Sequence, residues 1–86
     1  MIAYTASKSA VAALSQALAQ ETVGEEIWVN DVAPSVLDTP ANRSAMPDAD
    51  FAKWVAPAEL ARLIVFLASP DNGATRGAVI PVYGGS

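Results

Sequence analysis

Two residues near the start of the chain, Tyr4 and Lys8, carry side chains that could hold and transfer a proton. On a helix, four residues advance the chain by about 6 Å and turn it by about 40° past a full turn, so both side chains project from one face. A phenol ordinarily has a pKa near 10, and a neighbouring ammonium lowers that pKa by stabilising the phenolate. The pair could therefore exchange a proton with an alcohol oxygen. The spacing leaves a second interpretation open, which is packing plus a solvated charge.

The segment that must position this pair, Ala3 to Thr22, is predicted to be a helix. It is rich in Ala, Leu, Ser and Gln and contains neither Pro nor Gly, and Gly24 lies where a helix stop is expected. Small and apolar residues recur on one side at helical spacing: they are Ala6, Ala10, Ala13, Leu14, Ala17 and Leu18. So many alanines on this side predict a close approach to a neighbouring element.

A short run rich in β-branched residues follows the helix. Ile27 to Ala33 is predicted to be a buried strand that Pro34 ends, with Trp28 in the core. Residues 34–56 then form a connection of about 20 residues, where most connections have about 4–6. A connection of this length is typical of a functional or mobile loop.

The remaining third of the chain predicts one more helix and one more strand. Pro57 suits the first turn of a helix, which Ser69-Pro70 should end. Residues 78–83 are predicted to be a strand, at an edge or a strand end because Pro81 donates no ladder bond, and residues 84–86 a flexible tail. Two strands joined through a helix indicate a parallel crossover. Because two parallel strands cannot form a covered sheet alone, the sequence predicts an α/β fold at the edge of a doubly wound sheet.

The composition excludes several classes of function. The 86 residues carry a net charge of −4 with no basic patch, which disfavours nucleic acid as a partner. Neither Cys nor His is present, so disulfides, thiolate chemistry and the commonest metal ligand are ruled out. The acidic residues match no known metal loop. With no signal peptide and no apolar run long enough for a membrane span, a cytoplasmic location is expected.

Three blocks of the sequence resemble short-chain dehydrogenases/reductases. YTASKSAVAALSQALAQE is similar to their active-site helix, in which Tyr and Lys are separated by three residues. WVNDVAPSVLDTP resembles their strand and cofactor loop, where the usual pattern is V-N-x-V-x-P-G with a Thr a few residues on. The third block, VAPAELARLIVFLASPD through TRGAVIPVYGG, resembles the last helix and strand. The resemblance covers nearly the whole chain in the right order.

The resemblance implies a Rossmann-like domain and an NAD- or NADP-dependent reaction that interconverts an alcohol and a carbonyl. Tyr4 would be the general acid/base and one of the cofactor-binding residues, and Lys8 would bind the nicotinamide ribose and favour the phenolate. Pro34 and Val36 would line the nicotinamide pocket, and the Thr39 hydroxyl would bind the carboxamide or a phosphate. Residues 40–56 would face a small-molecule substrate, and the parent enzyme is expected to be a homo-oligomer.

Three residues in or near the second block need separate interpretation. Ser35 replaces the family's usual Gly and is interpreted as tolerated variation, although Gly permits backbone angles that Ser adopts less easily. Asn30 is expected to brace the strand instead of contacting substrate. Arg43 could pair with an acidic substrate, and a solvated surface arginine is the simpler interpretation.

Residues 1–86 are therefore interpreted as the C-terminal segment of one such domain. The sequence has no glycine-rich turn for a pyrophosphate, so this chain alone is expected to be inactive and to bind no cofactor tightly. One alternative is a self-associating structural or interaction module, for which stability should depend on protein concentration. Another is a standalone descendant of the fold in which Tyr4 and Lys8 are remnants.

Overall fold

The computed structural model describes residues 1–85 and confirms the predicted α/β order. In chain order the elements are α1 (Ile2–Glu21), β1 (Asp31–Pro34), α2 (Pro40–Ala45), a 3₁₀ turn (Phe51–Lys53), α3 (Pro57–Ala68) and β2 (Val79–Val82). Strands β1 and β2 pair in parallel, with Asp31 opposite Val79 and Pro34 opposite Val82. The two strands are joined through α3, as the crossover prediction requires.

The strand β1 is shorter than predicted, because a side chain takes the place of the ladder at its start. The amide of Asn30 donates to the Thr75 carbonyl at 3.0 Å and accepts from the Ala78 N–H at 3.2 Å. Asn30 therefore braces the strand as expected, and regular pairing begins only at Asp31. Trp28, predicted to lie in the core, is 43% exposed, so that expectation is wrong for residues 1–85.

The proline of the last strand lies where its missing N–H does no harm. The carbonyls of Ala78 and Val82 accept from β1, from Asp31 N and Ser35 N respectively. Since neighbouring residues of a strand alternate in direction, the nitrogen of Pro81 points away from β1. Within residues 1–85, Pro81 thus lies at an edge of the sheet, as predicted.

The C-terminal end of α1 is fixed to the segment that leads into β2. Arg76 donates through Nη2 to the Ala19 carbonyl, a favourable place for a cation because the last carbonyls of a helix carry partial negative charge. Gly77 has φ +69°, and a Cβ built on it would lie 3.2 Å from the Ala19 Cβ. Ala19 itself is 3% exposed. This contact fixes the helix that carries Tyr4 and Lys8 against the sheet.

Much apolar surface remains uncovered by residues 1–85. The accessible surface is 6072 Å², against about 4,800 Å² expected for a compact monomer of this mass. The radius of gyration is 15.1 Å, against about 12 Å for a compact chain of this length. Leu14 on α1 is 68% exposed and Val65 on α3 is 67% exposed. The alanine-rich side of α1 is therefore the open side, and within residues 1–85 the predicted close neighbour is not seen.

The end of the chain packs against the 3₁₀ turn instead of forming the predicted flexible tail. Gly85 donates its N–H to the Lys53 carbonyl at 3.0 Å. Gly84 has φ +59°, and a Cβ there would lie 3.1 Å from the same carbonyl oxygen and 3.3 Å from Val55. Ser86, the rest of the predicted tail, lies outside the described residues. Gly84 therefore permits an approach that a side chain would disfavour.

Replacing Gly84 by Ala is expected to lower the free energy of unfolding by about 1–2 kcal/mol, since positive φ and a close backbone contact both disfavour a Cβ. Urea unfolding measures this change. Gly73→Ala is the matched control, because a Cβ at Gly73 meets nothing within 4 Å and its φ is not positive. Equal destabilisation by the two variants would show that the Lys53 contact does not hold the chain end.

Candidate active site

A cleft of about 480 Å³ between α1 and β1 brings together most of the predicted site residues. From α1 it is lined by Tyr4 and Lys8, and from β1 and the residue after it by Pro34 and Ser35. Residues 31–34 form a parallel strand, so Pro34 lies at the carboxyl end, where ligands bind in open α/β sheets. The cleft therefore joins the predicted proton-transfer pair to the predicted floor of the nicotinamide pocket.

The geometry of Tyr4 and Lys8 follows from the helix that carries them. The Lys8 Nζ lies 5.6 Å from the centroid of the Tyr4 ring, within the range at which an ammonium and an aromatic ring attract each other. Tyr4 is 60% exposed, so its hydroxyl is accessible to a ligand in the cleft. An accessible phenol beside an ammonium is suited to proton exchange with a bound oxygen.

Ser35 fits the cleft floor without strain. The described residues include no non-glycine residue with positive φ, so this position does not require the conformational freedom of the family's usual glycine. The Ser35 N–H donates to the Val82 carbonyl at 3.0 Å, and its Oγ donates to the Tyr83 carbonyl at 3.1 Å. The serine thus adds a link between the floor of the cleft and the end of β2. No local sequence signal predicts this link, since the partners lie 48 positions apart.

The two remaining predicted cofactor residues, Val36 and Thr39, lie beyond the cleft, where the loop begins. The Val36 carbonyl accepts from the Val55 N–H at 3.0 Å, while its own N–H makes no hydrogen bond to any residue in 1–85. Thr39 caps α2, its Oγ1 accepting from the Asn42 N–H at 3.1 Å. A hydroxyl can accept and donate together, so the Thr39 proton can still be donated to a ligand.

An ion pair beside Thr39 is the main feature of the site that the sequence interpretation missed. Arg43 donates from Nε and Nη2 to the two carboxylate oxygens of Asp38, at 2.6 Å and 2.9 Å. Arg43 is therefore a surface arginine, as expected, with 51% of its side chain exposed, and its charge is paired with Asp38. The available signal was an Asp and an Arg on either side of the cap residue, five positions apart.

Removing Arg43 should raise the pKa of the Asp38 carboxyl. The hydrogen bond from Arg43, together with its positive charge, holds the pKa of Asp38 below its ordinary 3.8, against an opposing contribution from desolvation. Because the pKa is lowered in the folded state, the pair stabilises the fold fully at pH values above the unfolded-state pKa. This stabilisation is lost as pH falls through the folded-state pKa. We therefore expect the pair to persist from pH 8 down to the unfolded pKa of about 3.9, and to be lost only as pH falls further, through the lowered pKa of Asp38.

This expectation can be checked by following the Asp38 carboxyl carbon by NMR across the acid range. Arg43→Met should move its titration midpoint upward, towards the ordinary value. An identical midpoint in the variant and in the parent protein would contradict the ion pair.

A second, larger cleft of about 800 Å³ lies at the opposite end of β1, lined in part by Glu25, Glu26 and Trp28. It holds no pair of side chains comparable to Tyr4 and Lys8, so we place the candidate site at the smaller cleft. Within residues 1–85, the acidic residues do not converge into a group that could hold a metal ion. None of the helices in this part of the chain is long and apolar enough to cross a bilayer.

Known proteins with similar sequence and structure carry the same segment. Residues 1–86 match the family model described as enoyl-(acyl carrier protein) reductase. The chain is 34% identical over 90 residues to the 3-oxoacyl-[acyl-carrier-protein] reductase FabG of Thermotoga maritima, covering 95% of this chain and 37% of that protein. It is 38% identical over 93 residues to galactitol 2-dehydrogenase of Rhizobium johnstonii, covering 96% of this chain and 36% of that protein.

Among solved structures, a short-chain dehydrogenase of Mycobacterium paratuberculosis bound to NAD superimposes with a TM-score of 0.80 at 30% identity. That alignment covers 99% of this chain and 38% of the other. The chain thus spans a little more than a third of the length of the relatives it matches. The matched family model, these relatives and the Rossmann-type arrangement around the cleft agree with the resemblance noted in the sequence, and the chain belongs to the short-chain dehydrogenase/reductase family.

Proposed function

We propose that residues 1–86 supply the proton-transfer side of an NAD(P)-dependent oxidoreductase that interconverts an alcohol and a carbonyl. The observation that carries this proposal is the single cleft that Tyr4 and Lys8 share with Pro34 and Ser35 at the carboxyl end of β1. The matched relatives support the reaction class, since both curated names given above describe oxidoreductases. They name different substrates, so the proposal extends only to a small-molecule alcohol or carbonyl.

The donors in the cleft and at the start of the adjoining loop fit the nicotinamide end of a dinucleotide. Lys8 offers an ammonium to ribose hydroxyls, Val36 an N–H to the carboxamide, and Thr39 a hydroxyl proton to the carboxamide or a phosphate oxygen. Pro34 offers an apolar surface beside them. When bound, the cofactor supplies or accepts the hydride at the substrate carbon. The NAD-bound Mycobacterium relative supports this class of cofactor, and the choice between NAD and NADP stays open.

Tyr4 donates or accepts the proton in this reaction. In the reducing direction its hydroxyl donates a proton to the substrate oxygen as that oxygen gains negative charge, and the Lys8 ammonium stabilises the phenolate that is left. In the oxidising direction the phenolate accepts the proton of the alcohol. Because the Lys8 Nζ already lies 5.6 Å from the Tyr4 ring centroid, this stabilisation requires no large movement of the helix.

The uncovered surfaces suggest that residues 1–86 form one segment of a single Rossmann-like domain. The open edges of the sheet and the exposed faces of α1 and α3 need cover. We propose that the glycine-rich dinucleotide-binding half covers one side, and that a second copy covers another in a homo-oligomer. On this proposal the cofactor site is complete only when both halves of the domain are present.

The same exposed faces favour a second candidate, a catalytically inactive module that acts through self-association. Leu14 and Val65, each about two-thirds exposed, belong to helix faces that could pair between copies. On this reading the solution mass rises with protein concentration and no nicotinamide cofactor binds under any condition. The first candidate differs in requiring cofactor binding once the missing half of the site is supplied.

Titration with NADH and NADPH, following nicotinamide fluorescence and solution mass together, tests the two candidates. We expect no saturable binding by the chain alone, and saturable binding by a two-half assembly, in which the chain is joined to the part of the Thermotoga relative that lies outside the match. Lys8→Met should abolish or weaken that binding, and Arg62→Met, on the exposed face of α3, should not. Equal binding by both variants would contradict the proposed site, and saturable binding by a monomer of the chain alone would contradict the need for the second half.

A further inference from the structure

The loop between β1 and α3 is closed where it begins and ends. Val55 N donates to the Val36 carbonyl at 3.0 Å, and Asp38 N donates to the Val55 carbonyl at 2.8 Å. Leu37 and Val55 form an isolated parallel bridge, and Val55 is 3% exposed. The loop therefore leaves and returns beside Val36, one of the proposed cofactor residues. Any device that holds the two ends together also fixes the backbone of Val36.

Arg43 spans these two ends with two different parts of one guanidinium group. Its edge makes the bidentate ion pair with Asp38, next to the start of the loop. Its face lies 4.5 Å from the centroid of the Phe51 ring, a favourable arrangement for a planar cation. The Phe51 ring in turn contacts Trp54, with the centroids 4.8 Å apart and the planes tilted by 50°. Trp54 directly precedes Val55, so the chain of contacts returns to the closed base of the loop.

The residues between the ion pair and the cofactor site are hydrogen-bonded to one another. Asp38 precedes Thr39, whose Oγ1 accepts from the Asn42 N–H at 3.1 Å. The Asn42 side chain donates to the Leu37 carbonyl at 2.8 Å. A change in the Asp38–Arg43 pair therefore acts on the same turn that carries the Thr39 hydroxyl.

We propose that Arg43 is a positioning residue, whose guanidinium ties Asp38 to Phe51 and so holds Val36 and Thr39 in the arrangement that receives the nicotinamide end of the cofactor. This inference rests on the proposed function, and it adds a contributing residue that does not itself line the cleft. Lysine cannot take over this role, because an ammonium offers neither the planar fork for both carboxylate oxygens nor the flat face for the ring. Arg43→Lys should therefore behave like Arg43→Met, although it keeps the charge.

Hydrogen exchange tests the loop directly. We expect both Arg43 variants to raise exchange at the amides of Asn42 and Val55 by about three- to tenfold, since a local contact that opens more often exposes its amides in proportion. Adding Asp38→Asn to Arg43→Met should then cause no comparable further rise, because the two residues form one interaction. The control is Arg62→Met, which removes an arginine paired with Glu59 on α3, outside the loop. Exchange at the parent rate in Arg43→Met would overturn the proposal.

Measuring cofactor affinity shows whether Arg43 positions the cofactor site or only stabilises the loop. In the two-half assembly described above, Arg43→Met should weaken NADH or NADPH binding by about three- to tenfold under conditions in which the variant remains folded. Faster exchange with unchanged affinity would show that the contact exists but positions nothing, and would overturn the inference. An assembly that binds no cofactor with Arg43 intact would overturn the proposed function and this inference together, whereas unchanged exchange overturns the inference alone.

Discussion

Tyr4→Phe is expected to lower the turnover number of the two-half assembly by about 10²- to 10⁴-fold, the range that general acid–base catalysis contributes. The substitution removes one oxygen and leaves the ring in place, so the contact between the ring and the Lys8 ammonium at 5.6 Å persists. Cofactor affinity should therefore change little. Steady-state rates with saturating NADH or NADPH and a small ketone measure the first quantity, and nicotinamide fluorescence measures the second.

Thr5→Val is the matched control for this loss of a hydroxyl. Thr5 lies on the same exposed turn of α1 but about 100° around the helix from Tyr4, and it does not line the cleft. Its replacement should leave the rate within about twofold of the parent, the scatter expected of a neutral surface change. A Tyr4→Phe variant with the parent rate would mean that Tyr4 is a remnant of the fold and not its general acid/base.

The elements that the sequence predicted well are those specified by local signals. The helix α1 ends at Glu21 with Thr22 as its cap, close to the predicted end. Gly24 follows shortly after, and glycine disfavours continuation of a helix because it loses more conformational entropy than other residues. The helix α3 begins at Pro57 as predicted, since proline needs no N–H partner in the first turn. The spacing of Tyr4 and Lys8 likewise needed only the helical repeat.

The predictions that failed depend on contacts between distant parts of the chain. The strand β1 starts later than predicted because the side chain of Asn30 pairs with residues more than 40 positions away. The turn at Gly84 and Gly85 packs against Lys53, more than 30 positions away. No local pattern of glycines distinguishes a docked turn from a loose tail. In the same way, the aromatic partner of Arg43 lies beyond the span that local rules for helices and turns describe.

The side of α1 that faces the rest of the chain differs from the side that its alanine pattern predicts. Its alanine-rich side predicts burial, yet Ala12 and Ala19 are the alanines that the structure turns towards the rest of the chain, while Leu14 stays open. Under the proposal that residues 1–86 are one segment of a larger domain, this side of α1 would be buried against the rest of that domain. The accessible area of 6072 Å², about a quarter above that of a compact monomer of this mass, supports the same reading.

The second large effect concerns Lys8. Lys8→Met keeps the length and apolar contacts of the side chain and removes its charge. We expect the affinity of the two-half assembly for NADH or NADPH to fall by about 10- to 100-fold, the range for losing hydrogen bonds from a charged donor. The turnover number should fall as well, because the ammonium no longer stabilises the phenolate of Tyr4. Tyr4→Phe, by contrast, should reduce the turnover number with little effect on affinity.

Lys53→Met provides a control for general loss of positive charge. Lys53 is exposed and does not line the cleft, and its contact with Gly85 runs through its backbone carbonyl, which the substitution retains. If the two lysine variants weakened cofactor binding equally, the effect of Lys8 would be long-range attraction of an anion, which salt screens. A loss confined to Lys8→Met and undiminished at high salt would instead require direct contact, and would support Lys8 as the residue that binds the ribose beside Tyr4.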